Sequence, residues 1–184
     1  MKKSKILKNN KKIAIIGNAG SGKTTLALKL KEILQLPIIH LDQYYWKPHW
    51  EKRDFAEFYS IHNELCEQDE WIMEGNYVRA FYPRIFHADV VIYIDVSRYH
   101  CVARIIKRMI FNYGKTGVSL PPNCPEQFNG AFWIFLKWVW NFDKRYRYMI
   151  VDLLDEFKNE KQIYILKSQK EVDNFLNKIF NKSE

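Results

Sequence analysis

Glycine is scarce in this sequence, seven residues in 184, and cysteine is scarcer. The three cysteines, Cys66, Cys101 and Cys124, are odd in number, far apart and without a C-x-x-C pair. That pattern speaks for free or buried thiols in a reducing cytosol. Long apolar runs are also missing. Residues 131–140 are intensely apolar, but the run is short and broken by Lys137, well under the ~20 residues a spanning helix needs. No long apolar core follows the basic N-terminus, so no signal peptide is read, and the chain is expected to be cytoplasmic with no membrane partner. Acid is absent from residues 1–12, which hold six lysines and leave 23 basic against 21 acidic residues elsewhere. The net charge of +8 therefore belongs mostly to a basic tail, placed at residues 1–11. A solvated terminus explains that tail better than a nucleic-acid arm, so nucleic acid is not the favoured partner. What remains, 47% hydrophobic and 16% aromatic, excludes a disordered chain and suits one domain over residues 12–184.

Three of the seven glycines fall within six positions. Gly17-Asn18-Ala19-Gly20-Ser21-Gly22-Lys23-Thr24 is G-x-x-x-x-G-K-[ST], with the apolar run Ile13–Ile16 before it and the helix-forming run from Thr25 to Leu30 after it. Glycines let successive backbone N–H groups turn inward on a phosphate, and the following helix adds its N-terminal donors. Lys23 supplies a charge for the β- and γ-phosphates, and the Thr24 hydroxyl is a ligand for bridging Mg²⁺. The expected cofactors are ATP and Mg²⁺. The nucleotide-binding residues are Gly17, Asn18, Ala19, Gly20, Ser21, Gly22, Lys23, Thr24 and Thr25.

Along the chain the pattern predicts a helix over 22–34 and a buried strand over 36–42. An irregular aromatic segment follows over 43–50, then an amphipathic helix from Asp54 through Leu65. Short strands are expected at 71–74, 89–95 and 162–166, and helices around Val102–Ile110, 130–158 and Val172–Phe180. Residues 114–129 read as a loop, long enough to suggest a role. Strands alternating with helices imply a parallel sheet covered on both faces, an α/β fold in three layers. The aromatic stretch Phe132–Trp140 reads as a buried helix, with a dimer seam as the second reading, so the chain is expected to be a monomer or a homodimer.

Several further stretches resemble one family. His40-Leu41-Asp42 with Trp46-Lys47-Pro48-His49-Trp50, then Trp71-Ile72-Met73-Glu74-Gly75-Asn76-Tyr77, Cys124-Pro125-Glu126-Gln127-Phe128 and the run from Trp138 to Arg147 are similar to motifs of bacterial DNA topology modulation proteins. These sit within the adenylate-kinase-like group of P-loop kinases. The resemblance runs from about Lys12 to the C-terminus. It implies a five-stranded parallel sheet of order 2-3-1-4-5 with a lid around residues 105–147.

Phosphoryl transfer asks for positioning and charge neutralisation. Glu74, ending a short strand, is the candidate carboxylate for metal or acceptor, and the related kinases carry an acid there. Asp42 lies where open α/β sheets bind ligands and is the candidate proton acceptor. Tyr44, Tyr45, Trp46 and Trp50 form either a stacking wall for a planar acceptor or a hydrophobic flap. Arg79 is a candidate hand for an acceptor phosphate. Arg104 and Arg108, with Arg145 and Arg147 across the loop, resemble lid arginines that close on the transferring group. Asp95 and the five histidines are given structural roles. The expected function is a kinase acting on a small acceptor such as a nucleoside or nucleotide. The alternatives are a nucleotide-switched regulatory protein associated with DNA topology, or a slow ATPase.

Overall fold

The computed structural model describes residues 10–180; residues 1–9, most of the expected basic tail, lie outside them. A single parallel sheet organises the chain. Its strands are β1 (Lys12–Gly17), β2 (Ile38–His40), β5 (Trp71–Glu74), β6 (Val90–Ile94) and β7 (Gln162–Leu166), ordered β2-β5-β1-β6-β7. A small antiparallel hairpin, β3 (Trp46–Lys47) with β4 (Glu51–Lys52), stands apart. With the hairpin set aside, the strands run second, third, first, fourth, fifth in chain order, as the resemblance implies. Central strands β1 and β6 carry unbroken apolar runs, because a parallel sheet covered on both faces has no wet side. Asp89 pins the start of β1, its Oδ2 accepting from the backbone N–H groups of Lys11 and Lys12 at 2.8 and 2.9 Å.

The helices are α1 (Lys23–Leu34), α2 (Leu41–Tyr45), α3 (Phe55–Glu67), α4 (Phe81–His87), α5 (Arg98–Phe111), α6 (Gly130–Glu156) and α7 (Gln169–Phe180). Alternate residues of β1 serve opposite layers. Ile13 and Ile15 pack with Leu26 and Leu30 of α1, Ile105 of α5 and Phe175 of α7. Ala14 and Ile16 pack with Phe58 of α3, Phe81 and Ile85 of α4, and Ile150 of α6. Each such aliphatic side chain contributes about 1.5–3 kcal/mol on full burial. The caps match the sequence chemistry. Asp54 Oδ1 accepts from the N–H groups of Ala56 and Glu57 to start α3, and Asn129 Oδ1 accepts from Phe132 to start α6.

Local differences from the sequence reading have clear causes. The strand expected over 36–42 closes at His40, and Asp42 lies in the first turn of α2. The segment read as irregular is a short helix and a hairpin, closed by main-chain pairing between Trp46 and Lys52. Helix α4 had no counterpart in the reading, because its seven residues are too few to show a period. Helix α6 is not buried all round: Phe132 and Val139 are in the core, but Trp133 and Ile134 are 63% and 73% exposed. Among the described residues no helix is long and apolar enough to cross a membrane.

Candidate active site

The C-terminal ends of β1, β2 and β5 converge on the loop between β1 and α1. Gly17 has φ +145°, and a Cβ there would stand 2.6 Å from the Ile94 carbonyl oxygen. Gly20 has φ +76°, and its Cβ would meet the Cys101 carbonyl oxygen at 2.5 Å. Both positions therefore need glycine for conformation and for space. Asn18 ties the loop to α6, donating from Nδ2 to the Val139 carbonyl at 2.9 Å. Its own carbonyl accepts from Lys23 Nζ at 2.8 Å. Asn18 Oδ1 and Ser21 Oγ are buried without a hydrogen-bond partner among the described residues. A backbone cradle with the orphaned Ser21 hydroxyl, the donors opening α1 and a buried ammonium is chemistry suited to a polyphosphate.

Lys23 is buried, and burial pushes its pKa down while Glu74 and Asp42 pull it up. Thr24 Oγ1 donates to Glu74 Oε1 at 3.1 Å, and His40 Nδ1 meets the same oxygen at 2.7 Å. The register explains the second contact, since His40 is the direct partner of Glu74 across β2 and β5. Burial raises the Glu74 pKa, but the His40 hydrogen bond, the Lys23 charge and Thr24 outweigh it, so the carboxylate sits below its usual range. Asp42 goes the other way. Burial and the neighbouring Glu74 push it up, against a 2.6 Å hydrogen bond from the Tyr77 hydroxyl and the charges of Lys23 and Arg108. Two neighbouring carboxylates are thus driven apart in pKa, one held ionised and one made more basic. Thr24 and Glu74 present hard oxygen donors beside the cradle, a set that fits Mg²⁺.

The remaining predicted residues divide. Ala19 packs on the core beside the loop, whereas Thr25 is exposed. Tyr45 packs among Trp46, Phe58 and Tyr77, and Trp46 meets Trp50 edge to face at 5.3 Å. Arg79 is exposed, its guanidinium 5.5 Å from the Phe55 ring centre. Arg104 donates to the Ser21 carbonyl at 3.0 Å and to Gln169 at 2.6 Å. It lines a cavity of about 250 Å³ with Gly22, Thr25, Lys29 and Gln169. Arg108 Nε pairs with the buried Glu126 at 2.7 Å. Arg145 is exposed, while Arg147 grips Asp95 through Nε and Nη2 at 2.9–3.1 Å. The structure therefore gathers Lys23, Thr24, Glu74 and Asp42, pairs Arg108 with Glu126 at the surface with its charge still felt at Asp42, and leaves Arg79 and Arg145 exposed.

Sequence reasoning missed His40, Tyr77 and Arg84. The signal for His40 was its place at the end of a strand beside one ending in glutamate. Tyr77 was quoted only as part of a motif. Arg84, fully buried, stands in an otherwise aromatic and aliphatic stretch, where a lone cation is the cue.

No family model matches the chain, and no curated protein matches it by sequence. Solved structures do match. The chain is similar to shikimate kinase from Acinetobacter baumannii in complex with shikimate, with TM-score 0.55 and 16% identity over 96% of this chain and 94% of that one. It is also similar to a putative kinase from Chloroflexus aurantiacus, with TM-score 0.52 and 16% identity over 95% of this chain and 99% of that one. The chain shares its fold, an α/β architecture with a five-stranded parallel sheet, with these two structures.

Proposed function

We propose that the chain is an ATP- and Mg²⁺-dependent kinase that moves the γ-phosphoryl group to a small acceptor such as a nucleoside or nucleotide. The observation that carries this reading is the cluster of Lys23, Thr24, Glu74 and Asp42 beside a glycine cradle. The cradle and Lys23 hold the β- and γ-phosphates. The cavity beside Arg104 and Gln169 takes the nucleoside part, so Arg104 serves binding as much as closure. Thr24 and Glu74 hold Mg²⁺, which neutralises phosphate charge when bound. Asp42 receives the acceptor hydroxyl proton as that oxygen bonds to phosphorus and the bond to the ADP leaving oxygen breaks, and its raised pKa suits it to that task. Arg108, whose charge already reaches Asp42, stabilises the group in transit.

The test is ADP formation from Mg-ATP across a panel of nucleosides, nucleotides and sugars. ADP should appear only with one class of acceptor, and Lys23→Ala should weaken Mg-ATP binding by about tenfold to a hundredfold, the weight of a charge-assisted hydrogen bond. Unchanged affinity in Lys23→Ala would overturn the reading. Turnover without an acceptor would favour an ATPase. Salt-sensitive duplex binding that survives deletion of residues 1–12 would favour the DNA-associated alternative.

A further inference from the structure

Arg84 is a fully buried arginine on α4 without a carboxylate partner among the described residues. Its Nη1 donates to the Gly75 carbonyl at 2.9 Å, and its guanidinium lies 5.1 Å from the Phe81 ring centre. Nε and Nη2 are enclosed and have no hydrogen-bond partner among the described residues. These two nitrogens share one edge of the guanidinium plane, the edge that meets a carboxylate or phosphate with two parallel hydrogen bonds. Arg147 shows the same edge in use, gripping both oxygens of Asp95 through Nε and Nη2. Next to Gly75 in the chain, Asn76 also has both side-chain polar atoms buried and unpartnered. Arg84 feels the charges of Cys66 on α3 and of Glu74, Tyr77 and Asp42 of the site, and its own charge is felt at His62. Burial lowers the Arg84 pKa to about 10, which keeps it charged at neutral pH. A buried cation with an idle bidentate edge is costly to keep for folding alone.

We propose that the Nε/Nη2 edge of Arg84, together with the unpartnered carboxamide of Asn76, the residue after the Gly75 carbonyl that holds Arg84, docks an oxyanion group, carboxylate or phosphate, carried by the phosphoryl acceptor. This rests on the kinase reading and narrows its substrate class to anionic acceptors. The turn over residues 75–80 links the two ends of such a molecule. It carries the carbonyl that holds Arg84 and the Tyr77 hydroxyl that caps Asp42. Arg79, exposed on the turn, is then not the hand that holds the anion.

The experiment uses the full chain saturated with Mg²⁺ and a non-hydrolysable ATP analogue, so that the cradle is filled. Inorganic phosphate and, separately, acetate are titrated at constant ionic strength against sodium chloride while the Arg84 Nε–H resonance is followed by NMR. Its assignment comes from its loss in Arg84→Lys. Saturable perturbation by one of the two anions is expected, and the responding anion distinguishes a phosphate from a carboxylate site. Thermal stabilisation by that anion should vanish in Arg84→Lys and need about tenfold more anion in Asn76→Leu, the loss expected for one hydrogen bond to a charged group. Should Arg84→Lys not fold, Asn76→Leu alone makes the comparison. No saturable shift with either anion, or equal stabilisation in the folded variants, overturns the proposal. If the analogue itself fails to bind, it is the kinase reading that fails, and the same titration without nucleotide still decides whether Arg84 holds an anion.

Discussion

Asp42 is half-buried and Glu74 buried, and both feel Lys23, yet their surroundings send their pKa values in opposite directions. Glu74 accepts from His40 and Thr24 and feels Lys23, which favours its charged form. Asp42 has the Tyr77 hydroxyl, but burial and the Glu74 charge dominate and favour protonation. The sign for activity follows. A base must be deprotonated, so the rate should fall as pH drops through the Asp42 pKa, at a pH above the ordinary aspartate range. Asp42→Asn should lower kcat by a factor on the order of 10²–10⁴, the usual weight of a general base, with ATP affinity unchanged. A kcat–pH profile of the parent and an ATP titration of the variant check this. An acid limb at or below the usual aspartate value would count against Asp42 as the base. The residue types were legible from the motif and the strand ends. Their opposed ionisation was not, because it depends on which side chains from β2, α1 and the turn after β5 meet.

At the scale of elements, the loop over residues 112–129 is docked, not loose. Trp50 Nε1 donates to the Pro125 carbonyl at 3.0 Å, the His49 N–H to the Asn123 carbonyl at 3.0 Å, and Gln43 Nε2 to the Val118 carbonyl at 3.0 Å. The Cys124 thiol donates to the Lys47 carbonyl at 3.4 Å. Three residues at this junction, His49, Trp50 and Asn123, have positive φ of 59–64° without being glycine. Such strain persists only where surrounding contacts hold it. With Arg108 bound to Glu126, the loop joins α5 to the aromatic segment near Asp42. Trp50→Phe removes one hydrogen bond worth about 1 kcal/mol. Trypsin should then cut at Lys115 roughly fivefold faster, as a timed digest would show, and an unchanged rate would mean that Trp50 does not hold the loop. The sequence marked these residues as loop and aromatic segment. Their contact spans some seventy-five positions of chain, which no local pattern records.

Across the whole molecule, stability should depend on a histidine that takes no part in the proposed chemistry. His62 is buried on α3 against Cys66, and burial, aided by the Arg84 charge, lowers its pKa to about 3. The unfolded chain protonates this side chain near pH 6.5, while the folded one keeps it neutral. A depressed folded pKa means that the stability is present above about pH 6.5 and is lost as pH falls toward 3. The slope is about 1.4 kcal/mol per pH unit for one proton. Denaturant unfolding between pH 7 and 4 should show this slope in the parent and lose it in His62→Phe, while an equal slope in both would assign the loss to other groups. By itself the sequence determined the β/α alternation, the phosphate cradle and the amphipathic helices, because periodicity, glycine placement and helix starts are local. Only the tertiary structure decided that His40 and Tyr77 serve the two site carboxylates, that Arg79 faces water and that Arg84 is enclosed. Those outcomes depend on sheet register, on burial and on how helices without a visible period pack, and the one-dimensional order of residues does not contain them.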